Sequence, residues 1–298
     1  MPRSSKRPGL DELSAMVEVD RRGAISKAAE ALGVTQPSLS ATVAKMEQRL
    51  GETLFVRTKR GVQTTRAGLL LVARAKKVLR EWDQIPHELR ESSSELRGTY
   101  SIGVYATLAA YTLPRFLPRL LQEHEDLSID IGHDLSRDIA LGVIGFRYDY
   151  GIVVNPPRHP DLSIVDLYTD QVRLWRAVET RWNPRAPRVP VVASPHTPNL
   201  DAFIRRANAA GYLPSCRLIR TSDLSVVCRL TAADAGVGIM PSTIPQMQAP
   251  GELVATRRIP TQKDQISLVW RNDSQTSPGS RLLRAAIRES LRRKSTDA

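Results

Sequence analysis

Residues 24–50 read AISKAAEALGVTQPSLSATVAKMEQRL, and this stretch decides the fold of the N-terminal region. Ser26 is a suitable N-cap for a first helix, and Gly33 can adopt the left-handed conformation that ends it. After the turn that follows, Pro37 suits the start of a second helix, because its missing N–H would have no intrahelical partner there. The stretch therefore predicts two short helices joined by a tight turn.

The second predicted helix has two unlike faces. Apolar residues recur at helical spacing and predict one buried face: Leu39, Val43, Met46 and Leu50. The opposite face carries short or basic side chains: Ser38, Ala41, Thr42 and Lys45. Short side chains let a helix approach the major groove of DNA closely and reach base edges. An ordinary amphipathic helical hairpin is the alternative explanation.

A β-hairpin with a basic tip is predicted directly downstream, in residues 52–68 (ETLFVRTKRGVQTTRAG). Arg57, Lys59 and Arg60 would lie along phosphates, and an Arg at the tip could enter a minor groove. A solvated turn is the alternative for such charges. Because the two helices precede it, we favour the wing of a winged helix-turn-helix.

The charge of the chain fits a polyanionic partner such as DNA. Its 298 residues carry a formal net charge of +12, with +5 in residues 1–66 and +6 in the much longer residues 99–298. Positive charge is therefore densest in the N-terminal region. A chain of this length can also hold two or three domains, each with its own core.

The sequence gives little support to an enzyme, a metal site or a cofactor. It has no Gly-x-Ser-x-Gly, Ser-x-x-Lys or Gly-x-x-x-x-Gly-Lys motif, and its histidines lack ligand spacing. Cys216 and Cys228 are too few for a disulfide framework, and the apolar pattern around Cys228 favours a buried thiol over a redox switch. Neither a signal peptide nor an apolar run of about 18 residues occurs. We expect a cytoplasmic protein without membrane contact.

Residues 66–91 read as one helix with an apolar seam that alternates spacings of four and three. Such a seam is typical of helices that pair with a second copy, so we expect dimerisation through Leu71, Ala75, Val78, Trp82 and Ile85. Pro86 predicts a kink or an early end near Gln84. A helix that packs only on its own chain is the alternative.

Beyond Gly98, short apolar runs alternate with helical patterns. Strands are predicted near residues 100–104, 129–133 and 150–154, and again near 189–193, 217–219 and 238–240. Helices are predicted between them, at 109–123, 136–142, 199–210 and 223–235. Such repetition indicates parallel sheets covered by helices. Two sets with crossings near 171–178 and Trp270 predict a hinged, two-lobed domain, whose last helix (279–293) returns to the first lobe.

Several blocks of this chain, in one order and at matching spacing, resemble the LysR-type transcriptional regulators. They are Ile25-Ser26-Lys27-Ala28-Ala29, Gln36-Pro37-Ser38-Leu39-Ser40, Met46-Glu47-Gln48-Arg49-Leu50-Gly51, Leu54-Phe55-Val56-Arg57 and Thr65-Arg66-Ala67-Gly68. The resemblance implies a mixed fold class, in which a winged helix-turn-helix (residues 1–66) and a linker helix (67–98) precede a two-lobed α/β effector domain (99–298). That domain resembles type 2 periplasmic solute-binding proteins. Lobe I would comprise 99–171 and 271–298, and lobe II 172–270.

The resemblance also implies partners and contact residues. Family members bind inverted-repeat double-stranded DNA as homodimers, often as homotetramers, and respond to a small-molecule effector. In this chain Ser26, Gln36, Pro37, Ser40, Ala41 and Thr42 fall where family members touch DNA. Ala41 stands where Arg is common, so a thymine methyl contact is more plausible there than a guanine contact.

Polar residues at predicted helix starts suggest the effector site. A ligand in a two-lobed domain sits where strand ends and helix N-termini converge. Hydroxyls and free N–H groups at such ends favour a carboxylate or another small anion. The candidates are Thr107, Thr197, Thr221 and Ser222, with Tyr105 and Leu108 beside them. Simple N-capping is the alternative for each hydroxyl.

The sequence thus predicts a DNA-binding transcriptional regulator that responds to a small, anionic effector. The alternative is a cytoplasmic solute-binding domain or small-molecule enzyme with a basic N-terminal extension. A salt-dependent, sequence-selective gel shift separates the two, because only the regulator binds an operator.

Overall fold

The N-terminal region folds as three helices followed by a two-stranded hairpin. A computed structural model of the protein describes residues 7–59, 61–89, 96–257, 259, 261–272 and 278–292. Helices α1 (Leu10–Arg22), α2 (Ile25–Ala31) and α3 (Gln36–Leu50) come first. The antiparallel strands β1 (Phe55–Thr58) and β2 (Gly61–Thr64) form the hairpin. The predicted helix-turn-helix and wing are therefore both present.

Helix α3 is anchored by the apolar face that its sequence predicts. Leu39, Val43 and Met46 are buried in one cluster with Met16 and Val19 of α1. Leu50 does not join them and is 49% exposed, because it is the last helical residue. Gly51 follows it with φ of 68° and turns the chain away. The predicted burial of Leu50 is wrong.

The helix caps also differ from prediction at one position. Helix α2 begins at Ile25, because the extended backbone that precedes a helix lies at Ala24. Ser26 is consequently inside the first turn and is not the N-cap. In α3 the hydroxyl of Thr35 does cap the helix, accepting a hydrogen bond from the Ser38 N–H at 3.3 Å.

The predicted dimer residues lie on the long helix α4 (Arg66–Leu89), where they have two different environments. Leu71 and Ala75 pack on the helix-turn-helix core of their own chain, whereas Val78 and Trp82 are 43% and 55% exposed. The side chain of Ile85 lies outside the described residues. The helix continues past Pro86 to Leu89, so it does not end early near Gln84, and the alternative of a kink there stays a prediction. Proline removes one hydrogen bond, and the remaining bonds of the last turn still form.

Alternating strands and helices build the C-terminal region, as the sequence predicts. Lobe I contains β3 (Gly98–Val104), α5 (Ala106–Thr112), α6 (Leu117–Glu123), β4 (Leu127–Gly132), α7 (Ser136–Ile144) and β5 (Tyr150–Val154). Lobe II contains β7 (Val189–Ala193), α8 (Leu200–Ala209), β8 (Cys216–Arg220), α9 (Leu224–Ala232), β9 (Val237–Pro241), α10 (Thr243–Gln248) and β10 (Leu253–Ala255). Two long strands, β6 (Leu162–Ala177) and β11 (Gln262–Arg271), and helix α11 (Pro278–Arg292) complete the region.

The long strands β6 and β11 join the lobes into one mixed sheet. Its order is β4-β3-β5-β11-β6-β9-β7-β8, with β10 paired to β6. Strands β3, β4 and β5 are parallel, as are β7, β8 and β9, which agrees with the parallel sheets predicted for each lobe. The crossing strands run antiparallel to their neighbours. The sequence predicted only the end of β6 as a crossing, although this strand spans 16 residues.

The final helix returns to the first lobe, as predicted. Leu283, Ile287 and Leu291 of α11 are fully buried and pack in a cluster that includes Tyr100 and Ile102 of β3. None of the helices in the described part of the chain combines the length and the apolar character that a membrane span needs.

Candidate nucleic-acid interface and interlobe cavity

The outer face of α3 presents the short side chains that the sequence predicts to contact DNA. Gln36, Pro37, Ser38, Ala41 and Lys45 are exposed, while Ser40 and Thr42 are half-buried. The Thr42 hydroxyl donates a hydrogen bond to the Ser38 carbonyl at 3.1 Å, which fixes its position on the helix. The same helix is anchored on its other face, so this surface is held rigidly.

A carboxylate on α1 organises the basic side chains of α3. Glu12 lies 2.6 Å from Arg49 and 3.3 Å from Lys45, and the Gly9 N–H donates to it at 3.2 Å. The hydrogen bond from Arg49 is the largest of the effects that lower the pKa of Glu12 to about 2. Sequence reasoning missed this cluster, because Glu12 and Arg49 are distant along the chain. Only the packing of α1 on α3 brings them together.

The wing lies beside α3 and contacts it. The Arg57 guanidinium donates a hydrogen bond to the Ser40 hydroxyl at 3.4 Å, which joins two predicted contact residues. Lys59 is exposed at the tip, Ser26 is exposed on α2, and Arg60 lies outside the described residues. A side chain at Gly61 would place its Cβ 2.4 Å from the Gly23 carbonyl oxygen, so only glycine fits there.

A cavity of about 560 Å³ lies between the lobes. Four predicted effector residues line it: Tyr105, Thr107, Leu108 and Thr197. Lobe I also contributes Tyr111, Ser136 and Arg137, and lobe II contributes Ser194, His196 and Leu224. Its size suits a small metabolite.

Thr221 and Ser222 are not part of the cavity lining, contrary to the prediction. The Thr221 hydroxyl accepts a hydrogen bond from the Asp223 N–H at 3.3 Å, so it stabilises the local turn. Ser222 offers its main-chain carbonyl, not its hydroxyl, to lobe I, where the Tyr105 hydroxyl donates to it. These two residues therefore support lobe contact and the start of α9.

Direct hydrogen bonds join the lobes at the edge of the cavity. Besides the Tyr105 bond, the Thr107 hydroxyl donates to the Asp223 carboxylate at 3.3 Å. That carboxylate also caps α9, accepting from the Ser225 N–H at 2.8 Å. Partial burial raises the pKa of the Tyr105 hydroxyl. Lobe movement would have to break or rearrange these bonds.

A buried carboxylate, Asp264 on β11, also lines the cavity. It is 3% exposed and accepts a hydrogen bond from the Asn155 amide at 2.9 Å. Burial raises the pKa of Asp264, while the amides of Asn155 and Gln262 act in the opposite direction. Sequence reasoning missed this residue, yet a signal exists. Asp264, Ile266 and Leu268 alternate along one strand, which places the carboxylate on the buried face.

A second, more open cavity of about 520 Å³ adjoins the start of α8. Thr197, Asn199, Arg205 and Arg220 are among its lining residues. Asn199 precedes the helix with φ of 52°, and its side chain makes no cap hydrogen bond. Thr197 lines both cavities, whereas Asn199 lines only the second one.

The two cysteines are free thiols, Cys228 fully buried and Cys216 partly buried. Burial raises the pKa of both, which disfavours the reactive thiolate form. In the part of the chain that the structure describes, no three His, Cys, Asp or Glu side chains form a group suited to a metal ion.

Comparisons with known proteins point to one family. The family model described as "LysR substrate binding domain" matches residues 93–292, and "Bacterial regulatory helix-turn-helix protein, lysR family" matches residues 10–69. The HTH-type transcriptional regulator BbuR of Bordetella bronchiseptica is 32% identical over 164 residues, which cover 55% of this chain and 50% of BbuR. A Streptomyces viridosporus protein named "Probable hydrogen peroxide-inducible genes activator" is 28% identical, covering 98% of this chain and 97% of that protein.

Solved structures show the same fold. A full-length OxyR variant from Pseudomonas aeruginosa is similar with a TM-score of 0.70 and 21% identity, and the similarity covers 98% of this chain and 97% of that one. The arrangement of a helix-turn-helix, a long helix and a two-lobed domain is therefore shared along nearly the whole chain.

Proposed function

The chain belongs to the LysR family of DNA-binding transcriptional regulators, and we propose that α3 and the wing bind an operator while the interlobe cavity binds an effector. The observation that carries this proposal is the pairing of an anchored helix with an exposed face of short side chains. That face belongs to α3, a continuous helix of 15 residues, and the basic wing lies beside it. Such geometry matches recognition helices that enter the major groove.

The proposed DNA contacts fall into two groups. Residues at and after the start of α3 reach base edges or nearby phosphates: Gln36, Pro37, Ser38, Ser40, Ala41 and Thr42. Basic or hydroxyl side chains around them meet the phosphate backbone: Ser26, Lys45, Arg57, Lys59 and Arg60. Phosphate contacts fix position, and base contacts supply specificity. Because Lys45 lies 3.3 Å from Glu12, its contribution to phosphate binding is smaller than that of Lys59.

We propose that two copies pair through α4 on an inverted-repeat operator. The exposed side chains of Val78 and Trp82 support this, because large apolar groups on a helix favour a partner. Leu69 and Leu70 are also exposed, at 56% and 58%. Leu71 and Ala75 are buried within their own chain, so we propose a dimer seam that excludes them. Tetramer formation through the effector domains, which the family resemblance implies, is a further part of this proposal.

We propose a cytoplasmic regulator with domain boundaries at residues 66 and 98, and a small carboxylate or similar anion as its effector. Thr107 and Thr197 line the cavity with hydroxyls, and Arg137 adds an exposed positive charge. Arg137 lies in the first turn of α7. A helix N-terminus and a guanidinium both favour an anion.

Helix α7 also supports a route from the cavity to the DNA-binding region. Its first turn lines the cavity, and Phe146 follows its last turn. The Arg74 guanidinium and the Lys77 ammonium of α4 lie 3.9 Å and 4.2 Å from the centre of the Phe146 ring. These cation–π contacts join lobe I to α4, the helix that follows the winged helix-turn-helix. An effector that shifts α7 would therefore bias the position of α4.

A gel shift with DNA from upstream of the protein's own gene tests the DNA-binding part. We expect sequence-selective binding that weakens steeply between about 50 and 200 mM salt. Calorimetric titration with a panel of small carboxylates tests the effector part. Unchanged affinity in Thr107→Val would contradict the assignment of the cavity.

A further inference from the structure

The cavity wall contains a buried carboxyl group that has no cationic partner among the described residues. Asp264 is 3% exposed, and among the described residues no Lys or Arg lies within ion-pair distance of it. Its contacts are neutral amides, chiefly that of Asn155 at 2.9 Å. A buried carboxylate is costly unless it is paired, so a protein that keeps one in a cavity wall needs a reason.

The neighbouring carboxylate shows what a structural role looks like in this fold. Asp170 faces Asp264 across strands β6 and β11 and is 6% exposed. It accepts hydrogen bonds from three main-chain N–H groups: Gln171 at 2.7 Å, Ser242 at 3.1 Å and Thr243 at 3.3 Å. Asp170 is therefore compensated by the backbone around α10. Asp264 has no such set and instead faces the cavity.

A second side chain in the cavity wall also lacks a partner. Thr197 is 9% exposed, and its buried hydroxyl makes no hydrogen bond within the described part of the protein. Buried hydroxyls without partners are rare in native structures. Thr197 and Asp264 line the same cavity from lobe II and β11. Two independent polar groups are thus left to be satisfied by a ligand.

We propose that the effector carries a protonated amine that pairs with Asp264, in addition to its anionic group. The ligand class is a small zwitterion of amino-acid type, with apolar atoms against Leu108, Tyr111 and Ile244. The ammonium supplies the missing countercharge of Asp264, and the Thr197 hydroxyl binds the polar remainder. This inference rests on the proposed effector role of the cavity and narrows it.

Paired probes test the inference with the full-length protein. Calorimetry and thermal shift compare each L-amino acid of a panel with its des-amino acid of the same carbon skeleton. At least one amino acid should bind, its des-amino partner should bind at least tenfold more weakly, and Asp264→Asn should lose that difference. Asp130→Asn, an exposed Asp on β4, is the matched control and should keep it.

A measurement without ligand provides an independent arm. Asp264→Asn should raise the melting temperature of the ligand-free protein, because it removes an uncompensated buried charge, and Asp130→Asn should leave it unchanged. Thr197→Val should weaken binding of the same amino acid without lowering the melting temperature. A lower melting temperature in Asp264→Asn would make Asp264 a structural residue and overturn the inference.

The remaining outcomes distinguish the amine-binding role of Asp264 from the proposed effector role of the cavity. Equal binding of a des-amino acid by the wild type and Asp264→Asn, weakened in Thr107→Val, would keep the cavity as effector site but refute the amine. Failure of every amine-bearing probe in the panel would also refute it. DNA binding is not a readout of either test, because Asp264 belongs to β11 and the proposed DNA contacts belong to the N-terminal region.

Discussion

The α3 region and the interlobe cavity each contain a key carboxylate, and the two carboxylates have opposite surroundings. Around α3, Glu12 has two cationic partners, and its pKa is lowered to about 2. In the cavity, Asp264 has only amide partners among the described residues, and its pKa is raised. The first arrangement is complete without a ligand, whereas the second is not. We infer that the proposed DNA-binding surface is preformed, whereas the proposed effector cavity leaves a buried carboxylate for a ligand to compensate.

Helix α3 also differs from the cavity in how it is supported. One continuous helix supplies the whole exposed face, and a single buried stripe holds it. The cavity needs side chains from positions 105 to 264, on both lobes and on the crossing strand β11. Small movements of the lobes therefore change the cavity and leave the α3 face unaltered. Four experiments test this contrast.

The largest expected effect comes from the support of α3. Leu39→Ala should destabilise the helix-turn-helix by about 2–5 kcal/mol, because it leaves a void in a closed core. Leu50→Ala should change stability by less than about 0.5 kcal/mol, because Leu50 is 49% exposed. Hydrogen exchange of residues 10–66 measures both. Similar losses in the two variants would show that the face is not held by the predicted stripe.

Next in size is the effect of a charge on the α3 face. Ala41→Asp should weaken operator binding by about 10–100-fold, because it brings a carboxylate to the phosphates without disturbing the fold. Ala110→Asp, at an exposed position on α5, is the matched control and should bind as the wild type does. Gel shifts at constant salt give the ratio. A wild-type affinity in Ala41→Asp would place the DNA-binding face elsewhere.

The cavity allows a comparison of two threonines, one inside and one outside. Thr107→Val should weaken binding of a carboxylate found by calorimetry by about tenfold, because we expect the Thr107 hydroxyl to turn from the Asp223 carboxylate and donate its one proton to the ligand. Thr221→Val should change that affinity little, because among the described residues the Thr221 hydroxyl has its hydrogen bond within its own turn. Should Thr221→Val give the larger loss, the effector binds at the lobe edge.

The same contrast explains what the sequence could and could not predict. Helical and strand periodicity revealed the buried stripe of α3, the wing and most elements of both lobes, because these features repeat along the chain. The burial of Leu50 was mispredicted, since periodicity does not show where a helix stops. Thr221 and Ser222 were misplaced because a helix start does not reveal which atoms face a cavity. The partners of Glu12 and the isolation of Asp264 depend on packing between distant segments.

The smallest expected effect concerns the pH dependence of stability, to which Glu12 and Asp264 contribute with opposite signs. The pKa of Glu12 is lowered from 4.5 to about 2, so its contribution to stability is present above pH 4.5 and is lost as the pH falls towards 2. Glu12→Gln should remove that contribution, which is about 1 kcal/mol or less for a partly exposed pair. The stability of the helix-turn-helix should then fall less steeply as the pH is lowered.

Asp264 should behave with the opposite sign. Burial, with a smaller effect of the Asp170 carboxylate, raises its folded pKa above 3.8, so the folded state holds this proton more tightly than the unfolded chain does, and stability falls as the pH rises from 3.8 through the raised pKa. Asp264→Asn should flatten this second slope in the C-terminal region. Denaturation followed by hydrogen exchange in each region, between pH 2 and 7, separates the two profiles. If the two profiles have the same sign, Asp264 is compensated in the folded state as Glu12 is. The contrast between the α3 region and the cavity would then be wrong.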